Sequence, residues 1–125
     1  NKTSQFDWIT SDSKELSKYL NDERCQIRFT ISAYYDMIKT LKKVNTKKWA
    51  NKLNKDMPII LLSGAQDPVG QYGKGVCWLY SLLEKNGIKH LDLHLYANAR
   101  HEPFNELEAT KTEFYNDVLS FIKNN

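Results

Sequence analysis

The sequence predicts an α/β fold that is incomplete as a stand-alone domain: two parallel strands with their helices, preceded by a helical segment. Three observations carry that reading. After residue 56 the pattern runs strand, helix, strand, helix, which implies a right-handed crossover between parallel strands. The run Pro58-Ile59-Ile60-Leu61-Leu62 is continuously apolar and stops at Ser63-Gly64, the mark of a strand buried on both faces. Before residue 56 the patterning is helical only. Two parallel strands are too few, because both faces and at least one edge of such a sheet would lack partners. The chain therefore reads as the tail of a larger α/β domain, with residues 1–56 and 57–125 as its two parts.

Each element has its own signal. Asp12 followed by Glu15 fits an N-terminal capping box and opens a short helix over Ser13 to Leu20. An irregular stretch, Asn21 to Phe29, leads to Thr30, a cap for a second helix with the apolar stripe Ile31, Tyr34, Tyr35, Ile38 and Leu41. A third short helix is expected over Lys47 to Leu53, with Trp49 and Leu53 on one face. The strand at Pro58 to Gly64 comes next, then a loop with Asp67-Pro68-Val69-Gly70. A helix from Gln71 to Asn86 buries Val76, Leu79, Tyr80 and Leu83, and Gly87 sits where a left-handed C-terminal cap belongs. The second strand is His90 to Tyr96. Asn105 with Glu108 reads as another capping box, opening a helix to Lys123 whose core face holds Phe114, Val118, Phe121 and Ile122.

Composition narrows the class. The chain has 125 residues, with 41% hydrophobic, 12% aromatic and 26% charged residues. These values suit one globular domain and argue against disorder. No apolar run approaches the roughly 18 residues of a membrane span. A net charge of +3 is too mild to imply nucleic acid. Cys25 and Cys77 form neither a CxxC nor a zinc spacing, and buried free thiols in a reducing, cytoplasmic setting are expected. No signal peptide is visible. The chain starts at Asn1 rather than Met, which points to an N-terminus that was cut or left out.

In open α/β sheets, chemistry gathers outside the carboxyl ends of the strands. Asp67 follows the first strand and His101 the second, so parallel strands bring both loops to one edge. An aspartate that accepts a hydrogen bond from one imidazole nitrogen fixes the tautomer and stabilises the imidazolium formed in proton transfer. Acid before base is also the order of the second half of a Ser-Asp-His triad. The plainer reading stands beside this: an aspartate before proline is often a turn former, and a lone loop histidine is often a surface residue.

Two loop strings bear a resemblance. Ser63-Gly64-Ala65-Gln66-Asp67-Pro68-Val69-Gly70 with Gly73-Lys74-Gly75-Val76, and Leu95-Tyr96 with Ala99-Arg100-His101-Glu102 and Asn105-Glu106, look like the acid and histidine loops of lysophospholipase-like α/β hydrolases. These are relatives of monoacylglycerol lipases and of serine aminopeptidase (S33-type) hydrolases. Phe6-Asp7-Trp8-Ile9 and Phe29-Thr30 resemble the family's cap more loosely. The resemblance covers nearly the whole chain but only the C-terminal portion of the family's fold. It implies that residues 1–56 are a helical cap or lid remnant with connecting helices. It makes residues 57–125 the last strand-helix units of the core, with Asp67 the triad acid and His101 the general base. It also implies an ester substrate, lipid-like in character, and no cofactor.

One departure matters. The family's nucleophile sits in a G-x-S-x-G elbow, and no such pentapeptide occurs in the chain. Ser63-Gly64 ends a strand and is no substitute. The chain alone is therefore expected to be inactive, and to complete its site with the missing N-terminal half of the same protein or a swapped copy. The alternative is a non-enzymatic binding or assembly piece on a hydrolase-like fold.

The remaining signals have bland explanations. Lys39, Lys42, Lys43, Lys47, Lys48, Lys52 and Lys55 form a basic run around Trp49 with no acid between Met37 and Lys55. A solvated lysine face is the default; a weak contact with an anionic membrane is a second reading, and nucleic acid is not expected. His90, Asp92 and His94 share one strand face by the two-residue period, but a polar strand face is the expectation and no metal is assigned. Gly70, Gly73 and Gly75 fit no phosphate-binding spacing and imply close backbone packing. Arg100, Glu102 and Glu106 are expected to form ion pairs that shape the His101 loop.

Overall fold

The computed structural model describes residues 4–44 and 46–125, with the side chain of Gln26 also outside the description. Its elements run α1 (Ser13–Asn21), α2 (Ile31–Val44), β1 (Ile59–Gly64), α3 (Lys74–Lys85), β2 (Leu91–Tyr96) and α4 (Glu108–Asn124), with 3-10 turns at Glu23–Gln26, Ala50–Lys52 and Pro103–Asn105. β1 and β2 pair in parallel, in register from Ile59 opposite Leu91 to Gly64 opposite Tyr96. This is the α/β pattern expected from sequence, in partial form.

The core is small and lies on one face of the sheet. Ala50, Leu82, Leu83 and Ile88 are buried there, with Trp49, Leu53, Ile59, Leu61, Leu79 and Leu91 packed around them. Fully burying a leucine such as Leu83 contributes about 2 kcal/mol. α4 meets the other face through Tyr96, whose ring lies 5.9 Å from Phe114 and whose hydroxyl donates to Asp117 Oδ2 at 2.8 Å. Burial and that carboxylate push the Tyr96 phenol well above its ordinary pKa. The first four residues of β1 are only half-buried, as expected of a two-stranded sheet without flanking strands.

Several boundaries differ from the sequence expectation. The third helix shortens to the Ala50–Lys52 turn, although Trp49 and Leu53 do pack on the core. The helix expected from Gln71 starts at Lys74, because Gln71 (φ 54°), Tyr72 (φ 54°) and Gly73 (φ 82°) are left-handed and cannot propagate a right-handed helix. Leu82, absent from the expected stripe of α3, is buried, whereas Val76, Leu79 and Tyr80 are half-buried. Its C-terminus closes as expected: Gly87 has φ 80°, its N–H donates to Glu84 O, and the Ile88 N–H donates to Leu83 O.

Asn105 does not cap the last helix. It sits in the 3-10 turn, and α4 begins at Glu108 after Leu107, with no side-chain cap. No residue of α4 is buried, and Ile122 is 66% exposed. The Asp12 cap forms, accepting from the Lys14 and Glu15 N–H groups, but Glu15 pairs with Lys18 instead of returning to Asp12. Thr30 Oγ1 does accept from the Ala33 N–H at the start of α2. The stripe on α2 is present but uncovered, from Tyr34 at 49% to Ile31 at 90% exposure. The cysteines are free as expected but not buried: Cys25 is half-buried and Cys77 exposed. Among the described residues, no helix is long and apolar enough to cross a membrane.

Candidate active site

The parallel register carries the loops after β1 and β2 to the same edge, where backbone hydrogen bonds join them. Ala65 N–H donates to Tyr96 O and Gln66 N–H to Ala99 O, both at 2.9 Å. Gly64 lies so close to the second loop that a Cβ there would stand 2.0 Å from Arg100 O. This approach sets the spacing between the two loops.

Asp67 is buried, and its position is fixed by the turn it starts. Its Oδ1 accepts the Val69 N–H at 2.8 Å, and its backbone carbonyl accepts the Tyr72 N–H at 2.8 Å. Gly70 leaves room for the carboxylate: a Cβ there would sit 3.2 Å from Asp67 Oδ2 and 3.3 Å from Ser63 Oγ. Gly75 packs as closely, 3.1 Å from Gly70 O by the same measure. These contacts account for the glycine cluster without a phosphate.

Asp67 Oδ2 and His101 Nδ1 lie 3.1 Å apart across a sequence separation of 34. With the proton on Nδ1, the imidazole donates to the carboxylate. Nε2 is then the nitrogen able to exchange a proton with a third group. The His101 side chain is 39% exposed and that of Asp67 only 9%. The pair is thus anchored on the acid side and open on the base side.

The loop that presents His101 is held by residues far away in sequence. His101 N–H donates to Trp8 O at 3.2 Å, and Glu102 N–H donates to Ile9 O at 2.9 Å. The Trp8 ring sits 5.0 Å from the imidazole, tilted by 54°. Arg100 Nη1 donates to the carbonyls of Asp7 and, at 3.1 Å, of Thr10. Glu106, 1% exposed, accepts from the Arg100 N–H at 2.8 Å, the Ser11 N–H at 3.0 Å and the Ser11 hydroxyl.

Where ion pairs were expected around His101, Arg100 and Glu106 make hydrogen bonds to backbone groups. Arg100 neutralises carbonyls, Glu106 collects amide protons, and Glu102 Oε2 accepts from the Asn105 amide at 2.9 Å. Sequence reasoning missed Trp8, Thr10 and Ser11 as supports of this loop, and named Glu106 as one but with ion-pair partners instead of the amide and hydroxyl donors it holds. The available signal was Glu106 itself, an acid that must find donors if buried.

Other candidates resolve into structure. His94 Nδ1 pairs with Asp117 Oδ2 at 3.0 Å. Among the described residues, no group of three or more metal-ligating side chains gathers.

Comparison with known proteins bears on the family and the fold. A family model described as serine aminopeptidase, S33, matches residues 1–108. No curated protein matches the chain. Among solved structures, a highly thermostable carboxyl esterase from Bacillus coagulans in complex with glycerol is similar at 30% identity and TM-score 0.85, over 99% of this chain and 40% of that one. A lipase in its open form is similar at 21% identity and TM-score 0.81, over 94% of this chain and 37% of that one. The chain therefore spans about two fifths of the length of either structure.

Proposed function

This chain belongs to the serine aminopeptidase S33 family of α/β hydrolases, and we propose that it is the portion of a serine hydrolase that carries the acid and the base of a Ser-Asp-His triad. The observation behind this is the 3.1 Å contact between Asp67 and His101 at the ends of adjacent parallel strands. The substrate class is a carboxylic ester, lipid-like in character. Similarity to a carboxyl esterase at 30% identity supports the ester. Residues 1–56 are assigned to the cap with its connecting helices and 57–125 to the catalytic core. Two free thiols fit a reducing, cytoplasmic setting.

In this mechanism a serine from outside the 125 residues attacks the ester carbonyl. His101 Nε2 takes the serine proton as the new C–O bond forms, and Asp67 stabilises the resulting imidazolium. The tetrahedral intermediate collapses, the alcohol leaves with the proton from Nε2, and an acyl-serine remains. Water then attacks the acyl group, giving its proton to Nε2, and the serine leaves by taking that proton back. The oxyanion donors lie with the serine, so the 125 residues alone are inactive.

The test joins the chain to a polypeptide that supplies the nucleophile and measures hydrolysis of an activated ester. His101→Ala should lower turnover by roughly a thousandfold or more; unchanged turnover would remove His101 from the mechanism. A fluorophosphonate adduct should appear on the serine of the added polypeptide and never on these 125 residues. The alternative reading is a non-enzymatic binding or assembly piece with the same fold. It predicts no adduct on any chain that co-purifies with the native protein.

A further inference from the structure

The outer face of α3 carries a feature that the catalytic reading does not use. Trp78 is 47% exposed there and forms a shared wall between two clefts. The first cleft, about 320 Å³, lies between α3 and the turn after α2, and is rimmed by Lys47, Lys48 and Lys85. The second, about 350 Å³, is bounded by Lys74 and Gln71. All four lysines are exposed, and neither cleft has a carboxylate in its lining.

We propose that this Trp78–lysine face is a docking surface for an anionic lipid bilayer. Two physical arguments single out that occupant. Lysine is almost never fully buried unless its ammonium group is paired, and neither cleft holds a carboxylate to pair it. This separates it from the apolar stripe of α2, which any neighbouring protein segment could cover. A half-exposed indole beside ammonium groups also matches the polarity gradient of a headgroup layer: the ring lies at the acyl boundary while the lysine stems reach back to the phosphates. In sequence, the lysine run that includes Lys47 and Lys48 begins at Lys39, Lys42 and Lys43, with no acid interposed.

The C-terminal carbonyls of α3 open toward this region and would oppose an anion, but they are already engaged. Asn86 N–H and Nδ2 donate to Leu82 O, Gly87 N–H donates to Glu84 O, and Ile88 N–H donates to Leu83 O. The proposal uses no residue of the Asp67–His101 site and stands or falls separately from the hydrolase reading.

The test is flotation of the full 125-residue chain on a density gradient with vesicles of phosphatidylcholine alone or of phosphatidylcholine and phosphatidylserine in equal parts, so that self-associated protein stays at the bottom and only vesicle-bound protein rises. Binding should be confined to the anionic vesicles and should weaken steeply as salt is raised. Lys47→Ala combined with Lys85→Ala should reduce partitioning about thirtyfold, at roughly fivefold per lysine. Lys14→Ala combined with Lys123→Ala, which changes net charge equally on other surfaces, should leave partitioning within about twofold.

Equal binding to both vesicle types, salt-insensitive binding, or equal losses in the two double variants would each overturn the proposal. Tighter retention on a single-stranded oligonucleotide than on the anionic vesicles would overturn it in favour of nucleic acid. Because the salt titration uses the unaltered chain, the proposal remains testable even if a variant fails to fold.

Discussion

Asp67 contributes more than charge. Its Oδ1 is committed to the turn at Val69 and its Oδ2 to His101, so its two oxygens do different jobs. Asp67→Asn should preserve the turn while removing the carboxylate that accepts from His101 Nδ1 and would steady the imidazolium formed during proton transfer. In the polypeptide that supplies a serine, turnover is then expected to fall by about 10⁴ with little loss of stability. Steady-state kinetics beside a urea melt would show whether the two effects separate in this way. Glu106 makes the opposite case: it bonds neither to Asp67 nor to the imidazole of His101, and instead bonds to the backbone of Arg100 in the His101 loop. Its carboxylate serves the Arg100 N–H and two donors of Ser11. Glu106→Ala strands those amides and should cost about 2–4 kcal/mol in a denaturant titration. A cost below about 1 kcal/mol would mean that water replaces the carboxylate without penalty.

Among the elements, two glycines distinguish space from conformation. At Gly64 a Cβ would collide with the carbonyl of Arg100 at 2.0 Å, whereas at Gly87 nothing lies within 4 Å and only φ 80° opposes a side chain. Gly64→Ala should therefore cost more than about 4 kcal/mol or prevent folding, while Gly87→Ala should cost about 1 kcal/mol. Comparable losses in thermal melts of the two variants would contradict this. The same scale shows what the sequence could reveal. Period and composition located both strands and the Gly87 cap, because those signals are local. They also brought Asp67 and His101 to one sheet edge, because parallel topology follows from the strand-helix-strand pattern. The start of α3 was not legible: Gln71 and Tyr72 are left-handed, which residue-by-residue propensity for non-glycine residues does not express. The docking of Trp8 and Ser11 onto the His101 loop was equally hidden, since contacts between residues some 90 positions apart leave no periodic trace.

As a whole, the molecule exposes 9263 Å², whereas a compact monomer of 14.6 kDa would expose roughly 6,900 Å². The difference is consistent with a two-stranded sheet, a helix α2 without a buried residue and a helix α4 in the same condition. Alone at micromolar concentration the chain should therefore self-associate through its strand edges and apolar helix faces. Sedimentation velocity would reveal this, and a single sharp monomer boundary would contradict it. The Trp8-to-Ser11 segment has a further consequence, one of timing. Its partners at Arg100, His101, Glu102 and Glu106 emerge from the ribosome some 90 residues after it does. Contacts of such long sequence separation form late in folding. The His101 loop therefore sets only after both ends of this stretch have been synthesised, so the order of translation itself delays assembly of the acid–base pair until the polypeptide has passed Glu106.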